Sequence, residues 1–298
     1  MKIYYPAYYK SFKCIADKCS HSCCVGWEIG VDAETARRYE TLGGELGDDI
    51  RSHICDGSIA LCDDGRCPFL EKSGLCRIIS SLGDEYTSLI CREHPRFYHR
   101  VGDRIECGIG LCCEEACRII LSSDAYDEFY EAEHNCQIAD ETDFDTLAHR
   151  EHIYSILADE RMSYGEKKTK IITEYALSDI SFTDDSFNEA FSELEYLDEA
   201  HHKIIKVGAS NINDGQGAVL ERMLAYLVFR HVSVAEGADN LRARVGFCLL
   251  LCSVMENLLS DTDSAFAAIC EWARIISEEI EYSEDNTAAL VFEIESRI

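Results

Sequence analysis

Four cysteines fall within eleven residues of the segment FKCIADKCSHSCCVGWEI, at Cys14, Cys19, Cys23 and Cys24. A C-x8-C pair follows at Cys67 and Cys76, then Cys91, then the adjacent Cys112 and Cys113. Thirteen of the 17 cysteines lie between Cys14 and Cys117, too crowded for random placement in 298 residues. Thiols gathered in this way form disulfides, ligate metal as thiolates, or fill a core as small apolar side chains. The opening residues, MKIYYPAYYKSF, show neither the apolar run nor the small-residue cleavage site of a secretory signal. The expected compartment is therefore the reducing cytoplasm, where disulfides are disfavoured and metal ligation is the expected chemistry. Zinc usually takes four ligands from C-x2-C knuckles, and no C-x2-C occurs. Iron–sulfur clusters accept more dispersed thiolates, so the spacing leans towards iron–sulfur, with zinc the alternative. His21 and His94 stand nearby as nitrogen donors or as ordinary hydrogen-bonded residues.

Elements must hold these residues in place, and the first part of the chain shows little periodicity from which to build them. Metal ligation is expected to supply folding free energy that apolar burial there does not. After Leu121 the pattern turns helical. Phe187, Ala190, Phe191, Leu194 and Leu197 recur at three- and four-residue spacing, with Asp184 or Asp185 as the cap. Leu220, Met223, Leu224 and Leu227 repeat it, as do Phe266, Ile269, Ala273, Ile276 and Ile280. About six helices are expected there, and no large sheet. All three prolines, Pro6, Pro68 and Pro95, lie in the first part, and composition shifts between residues 120 and 140. The expected fold is mainly α: an irregular, metal-stapled cysteine-rich domain over 1–125 and an acidic helical domain over 126–298. The run VGFCLLLCSVM from Val245 is too short to span a bilayer and reads as a buried helix, with Cys248, Cys252 and Cys270 in the core. His201 and His202 lie in a polar stretch and read as solvated.

Formal net charge is -28, which argues against nucleic acid as a partner. Residues 1–120 hold 15 Lys and Arg against 19 Asp and Glu, whereas the remainder holds 13 against 37. The acidic second half suits a lysine-bearing protein surface, or serves solubility alone.

The run FKCIADKCSHSCCVGWEIGVD resembles the opening of bacterial flagellin lysine-N-methylases, and also a broader group of zinc- or iron-chelating cysteine proteins. CPFLEKSGLCRI is similar to that family's C-P-F-L…L-C-x-I block. CREHPRFYHRVGDRIE is similar to its C-x-x-Y-P-R block, with His94 where a tyrosine is usual. LCCEEACRIIL looks like its S-C-P-E-A-A-R block. Cys113 takes the cysteine position there, while Cys112, Glu114 and Cys117 depart from the pattern. The likeness covers roughly 1–125, and LAYLVFRHVS near Arg230 has the look of the family's second half. This resemblance implies a [4Fe–4S] cluster, S-adenosylmethionine as methyl donor, and methylation of lysines on flagellin. It nominates eight metal-ligating thiols, Cys14, Cys19, Cys23, Cys24, Cys67, Cys76, Cys91 and Cys113, without dividing them between centres. Cys55, Cys62, Cys107, Cys112 and Cys117 are left as ligands of a second centre or as inert buried thiols. The competing reading is a non-enzymatic zinc- or iron–sulfur-binding adaptor, with a redox carrier as a third.

Methylating an amine requires its neutral lone pair, and free lysine, with a pKa of about 10.4, is almost wholly protonated at neutral pH. A methylase must desolvate the ammonium or place a base beside it, and must hold a sulfonium. Tyr4, Tyr5, Tyr8, Tyr9 and Trp27 read first as core aromatics and otherwise as the lining of a lysine pocket. GGELG at Gly43 is the nearest approach to a glycine-rich nucleotide loop and reads as a turn. The radical-enzyme signature C-x3-C-x2-C does not occur. Arg92, Arg96 and Arg100 recur every fourth residue, but Pro95 breaks any helix that would align them. They serve a cofactor carboxylate or pair with local acids. The sequence assigns neither a catalytic base nor an S-adenosylmethionine site.

Overall fold

The computed structural model describes residues 2–133, 146–260 and 264–298. Its strands are β1 Lys2–Pro6, β2 Ile29–Gly30, β3 Ile54–Cys55, β4 Ser58–Ile59, β5 Arg96–Val101, β6 Arg104–Ile109 and β7 Phe129–Glu133. Its α-helices are α1 Ala33–Thr41, α2 Gly44–Ser52, α3 Arg77–Leu82, α4 Leu89–Glu93, α5 Glu114–Ser122 and α6 Thr146–Leu157, then α7 Tyr164–Glu174, α8 Ser186–Ser192, α9 Asp214–Leu227, α10 Ala238–Leu259, α11 Phe266–Ile276 and α12 Glu284–Glu295. The protein is mainly α, as its periodicity predicts.

The chain divides into two compact units. The first twelve residues, 98–112 and 116–298 make a helical unit, while 13–97 and 113–115 make a thiol unit. A single cut at 125 does not describe this division: β1 and the segment 98–112 belong with the helices. Part of the compositional transition, 134–145, lies outside the described residues.

The thiol unit is less irregular than its sequence suggests. β2, β4 and β3 form a small antiparallel sheet in that order. Ile29, Tyr39, Ile50, Ile59, Phe69 and Ile78 bury themselves in one apolar cluster with Cys67. Asp32 caps α1 by accepting from the Glu34 and Thr35 N–H groups, and its other oxygen accepts from Leu89 N at 2.8 Å, at the start of α4. The Arg51 guanidinium donates to the Tyr39 and Leu42 carbonyls at 2.5 and 2.7 Å, joining α2 to the end of α1. The GGELG run is helical and not a turn: Gly43 is the N-cap and the rest opens α2, with Gly44 at φ +83°, a conformation that favours glycine.

In the helical unit β5, β6, β1 and β7 pair in that order, β1 running parallel to β6 and antiparallel to β7. Seven α-helices follow β7 among the described residues. α10 is buried almost all round, which marks it as the unit's central helix, and it packs on α9, α11 and α12. Cys248 and Cys252 lie inside it, fully buried, and Cys270 is buried in α11. α8 ends at Ser192, short of Leu194 and Leu197, and Asp184 Oδ1 accepts from Ser186 N at 2.9 Å at its start. Glu106, fully buried on β6, accepts from Arg104 at 2.6 Å and also from Arg150. The Arg150 guanidinium lies 5.3 and 5.2 Å from the ring centres of Phe129 and Phe229. Two π-helical turns, Val228–Val232 and Ser277–Glu281, continue α9 and α11 directly. No helix among the described residues is long and apolar enough to cross a membrane.

Candidate metal centre

All eight nominated thiols belong to the thiol unit, seven within 13–97 and Cys113 within 113–115. Among the described residues no two cysteines are joined in a disulfide. Local backbone chemistry positions each one. In the first loop the Cys14 sulfur accepts from Ala16 N at 3.4 Å, and the Cys19 thiol donates to the His21 carbonyl at 3.0 Å. Glu114, in the first turn of α5, accepts from Ser20 N at 2.7 Å and His21 N at 3.2 Å, and lies 3.6 Å from the Cys19 sulfur. That carboxylate ties the loop beside its chain neighbour Cys113. Gly74, at the tip of a later turn, packs against the same loop: a Cβ there would stand 3.1 Å from Asp17 Cα.

The remaining thiols are framed by short bridges. Cys67 N donates to Cys24 O at 2.8 Å, and Val25 pairs with Arg66. Leu70 pairs with Cys76, closing a hairpin between Cys67 and Cys76. The Cys67 sulfur receives hydrogen bonds from the Phe69 and Leu70 N–H groups, and the Cys76 sulfur from those of Ile79 and Ile78. Cys91 sits in α4, whose start Asp32 holds.

Electrostatic coupling groups the sulfurs by proximity. Cys19 feels Cys113; Cys23 feels Cys14 and Cys113. Cys67 feels Cys24 and Cys76, and Cys91 feels Cys24, Cys67 and Cys76. The two groups meet at the adjacent Cys23 and Cys24, whose thiols are hydrogen-bonded. Burial pushes the thiol of Cys19 up to about 12 and that of Cys67 to about 11. Cys24 is the exception, lowered below the usual thiol range by its coupling to the neighbouring Cys23 thiol. Without a cation most of these groups keep their protons, so metal binding here must release them.

A single zinc ion and a cluster ask different spacings of the same thiolates. In tetrahedral zinc the 2.3 Å bonds bring thiolate sulfurs to about 3.8 Å from one another. Among the described residues no three cysteine sulfurs come within 4.8 Å of one another. A cubane tolerates wider spacing, because its irons stand between the thiolates. His201, Glu278 and Glu279 do come that close, but both carboxylates are committed to protein donors. Glu279 accepts from Leu197 N, Asp198 N and His201 Nδ1, and Glu278 pairs with Arg274. His201 is thus half-buried and paired, not solvated as its polar surroundings suggest.

The other sequence candidates separate by position. Cys55 and Cys62 are exposed in the thiol unit, and the Cys55 sulfur lies 3.7 Å from Asp56 Oδ2. Cys107, Cys112 and Cys117 are buried in the helical unit, where the Cys117 thiol donates to the Cys270 carbonyl at 3.2 Å. Arg92 donates to the Glu85 and Thr87 carbonyls, both at 2.9 Å, and Arg100 to Gly102 O at 3.1 Å. These are structural bonds. His94 is half-buried, 6.1 Å from Trp27 ring centre to ring centre, and desolvation lowers its pKa to about 4. Tyr5 and Tyr8 are buried in the helical unit, and the Tyr4 hydroxyl donates to Glu131 at 2.6 Å. Two features escaped the sequence reading. Glu114 registers there only as a departure from a pattern, although an acid in a helix's first turn is a recognisable anchor. The second is a buried constellation in the helical unit, Arg230, His231 and Glu281, with His231 Nε2 2.8 Å from Glu281. Its signal was two basic residues inside the apolar LAYLVFRHVS run.

The chain has curated relatives. Over 127 residues the chain is 30% identical to a lysine-N-methylase of Salmonella typhimurium and 29% identical to one of Salmonella choleraesuis, in each case 39% of this chain. It is 31% identical over 127 residues to the flagellar biosynthetic protein FliU of Salmonella muenchen, spanning 75% of that protein. The chain belongs to the flagellin lysine-N-methylase family. It matches only 32% of the length of the two relatives named lysine-N-methylase. No family model and no solved structure matches it. Glu114 holds the first cysteine loop beside Cys113 through the Ser20 and His21 N–H groups.

Proposed function

We propose that this protein is an S-adenosylmethionine-dependent lysine N-methyltransferase acting on flagellin, with a [4Fe–4S] cluster held by its cysteines. One observation carries the reading: in a chain of the flagellin lysine-N-methylase family, eight dispersed thiols belong to one compact unit and face one another without forming disulfides. The bound cluster supplies a redox-active, Lewis-acidic centre and the folding free energy of its iron–thiolate bonds. In the transfer, a bond forms between the lysine nitrogen and the methyl carbon as the sulfur–carbon bond breaks. S-adenosylhomocysteine leaves and the nitrogen sheds one proton. The protein's own contribution to substrate capture is its charge, 13 Lys and Arg against 37 Asp and Glu after residue 120, which attracts a lysine-rich surface.

The test is transfer of labelled methyl from S-adenosylmethionine to flagellin by the anaerobically prepared whole chain. A brown, iron-containing protein that labels flagellin lysines, and loses this activity when iron is stripped, supports the proposal. A colourless zinc protein that binds partners without labelling them replaces it with the adaptor reading.

A further inference from the structure

We infer that the eight thiols make two separate four-thiolate centres, one of Cys14, Cys19, Cys23 and Cys113 and the other of Cys24, Cys67, Cys76 and Cys91, abutting at the Cys23–Cys24 peptide. This rests on the iron–sulfur reading above for the metal, but not on methyl transfer.

Backbone geometry assigns the members. The Cys24 carbonyl is bonded to Cys67 N, which commits Cys24 to the hairpin carrying Cys67 and Cys76. Asp32 fixes the start of the helix that brings Cys91 to them. Cys14, Cys19 and Cys23 lie on one loop, and Glu114 clamps that loop beside Cys113 with two backbone hydrogen bonds. Each set supplies four sulfurs, the full complement of a cubane, so neither needs a borrowed ligand.

The surroundings of the two sets differ. Cys67 lies in the unit's apolar cluster with Cys24 and Cys76 packed against it, and four backbone N–H groups point at the Cys67 and Cys76 sulfurs. Each set has one exposed thiol, Cys14 in the first and Cys91 in the second, and the Cys14 set alone has a carboxylate, Glu114, 3.6 Å from its Cys19 sulfur. Hydrogen bonds to sulfur stabilise the reduced, more negative cluster, whereas an adjacent carboxylate repels the added charge. The Cys67 centre therefore reduces first. The Cys14 centre, beside the Glu114 carboxylate, reduces last. Because their ligands are chain neighbours, the two centres lie close enough for their unpaired spins to interact.

The experiment uses the whole chain, reconstituted anaerobically with ferrous iron and sulfide, and needs no flagellin. Two cubanes require about eight irons and eight sulfides per chain. Stepwise reduction with dithionite should give two resolved stages, and the fully reduced protein a paramagnetic resonance spectrum split or broadened by spin–spin interaction. The double variants Cys14→Ala with Cys113→Ala, and Cys67→Ala with Cys76→Ala, should each lose about half the iron. Each should leave one unbroadened signal and one reduction stage. Should the second variant not fold, the first, which includes the exposed Cys14, and the wild-type stoichiometry still decide. A wild type holding about four irons, or loss of all iron from the first variant with its circular dichroism unchanged, overturns the inference. Two centres without flagellin methylation would uphold it and sink the proposed function instead.

Discussion

Glu114 accepts two backbone hydrogen bonds from a loop more than ninety positions earlier in the chain. Removing such an acceptor leaves two amides to find other partners, a loss of about 1–3 kcal/mol in loop order. Glu114→Ala should therefore keep the fold but lose iron to a chelator faster than the parent, and from the Cys14 set alone. Iron assay against time reads this directly. His94 carries a pH dependence. Burial lowers its pKa from 6.5 to about 4, so the unfolded chain binds that proton more tightly than the folded one. Its contribution to stability is full above pH 6.5 and lost as pH falls towards 4. In His94→Phe this sag in thermal midpoint between pH 6.5 and 4 should flatten, and an unchanged profile would show that another group causes it. Asp32→Ala should cost about 1–2 kcal/mol as a lost cap, visible in urea unfolding. At this scale residue types were legible and partners were not. Sequence spacing places Cys23 and Cys24 together, yet bridges to Arg66 and Cys67, forty residues on, decide which way each faces.

The helices of the second half were the most legible elements, because burial of one face leaves a 3.6-residue imprint. Leu220, Met223, Leu224 and Leu227 are all buried in α9 as that imprint requires. The four-stranded sheet left none. Lys2 pairs with Arg104 and Glu133, and partners that far apart leave no local signal. The thiol unit's apolar cluster was equally hidden, since its members come one at a time from six short segments. Among the helices, Gly246 marks a close approach. A Cβ there would meet Ile294 Cγ2 at 2.8 Å and a Phe182 ring carbon at 3.6 Å. Gly246→Ala gains helix propensity but overpacks α10 against α12, and a net loss of about 1–3 kcal/mol in unfolding free energy is expected.

Over the whole molecule, charge is the property most easily read and most easily tested. The acidic second half should make flagellin capture depend on salt. Raising ionic strength towards 0.5 M should raise KM for flagellin with little change in kcat, because screening acts on the encounter. A salt-independent KM would assign the acidic residues to solubility. Composition located the cysteine-rich region but not its limits, because the chain enters the helical unit first, leaves it after Phe12, and returns at Tyr98. That threading has a practical consequence. A fragment stopped at 125 would carry off β1 and β6 and strand β7 without its sheet neighbours in the other half. To excise the cysteine-bearing part intact, one must cut at both 13 and 97 and splice 113–115 back on, closing the helical remainder with a short linker.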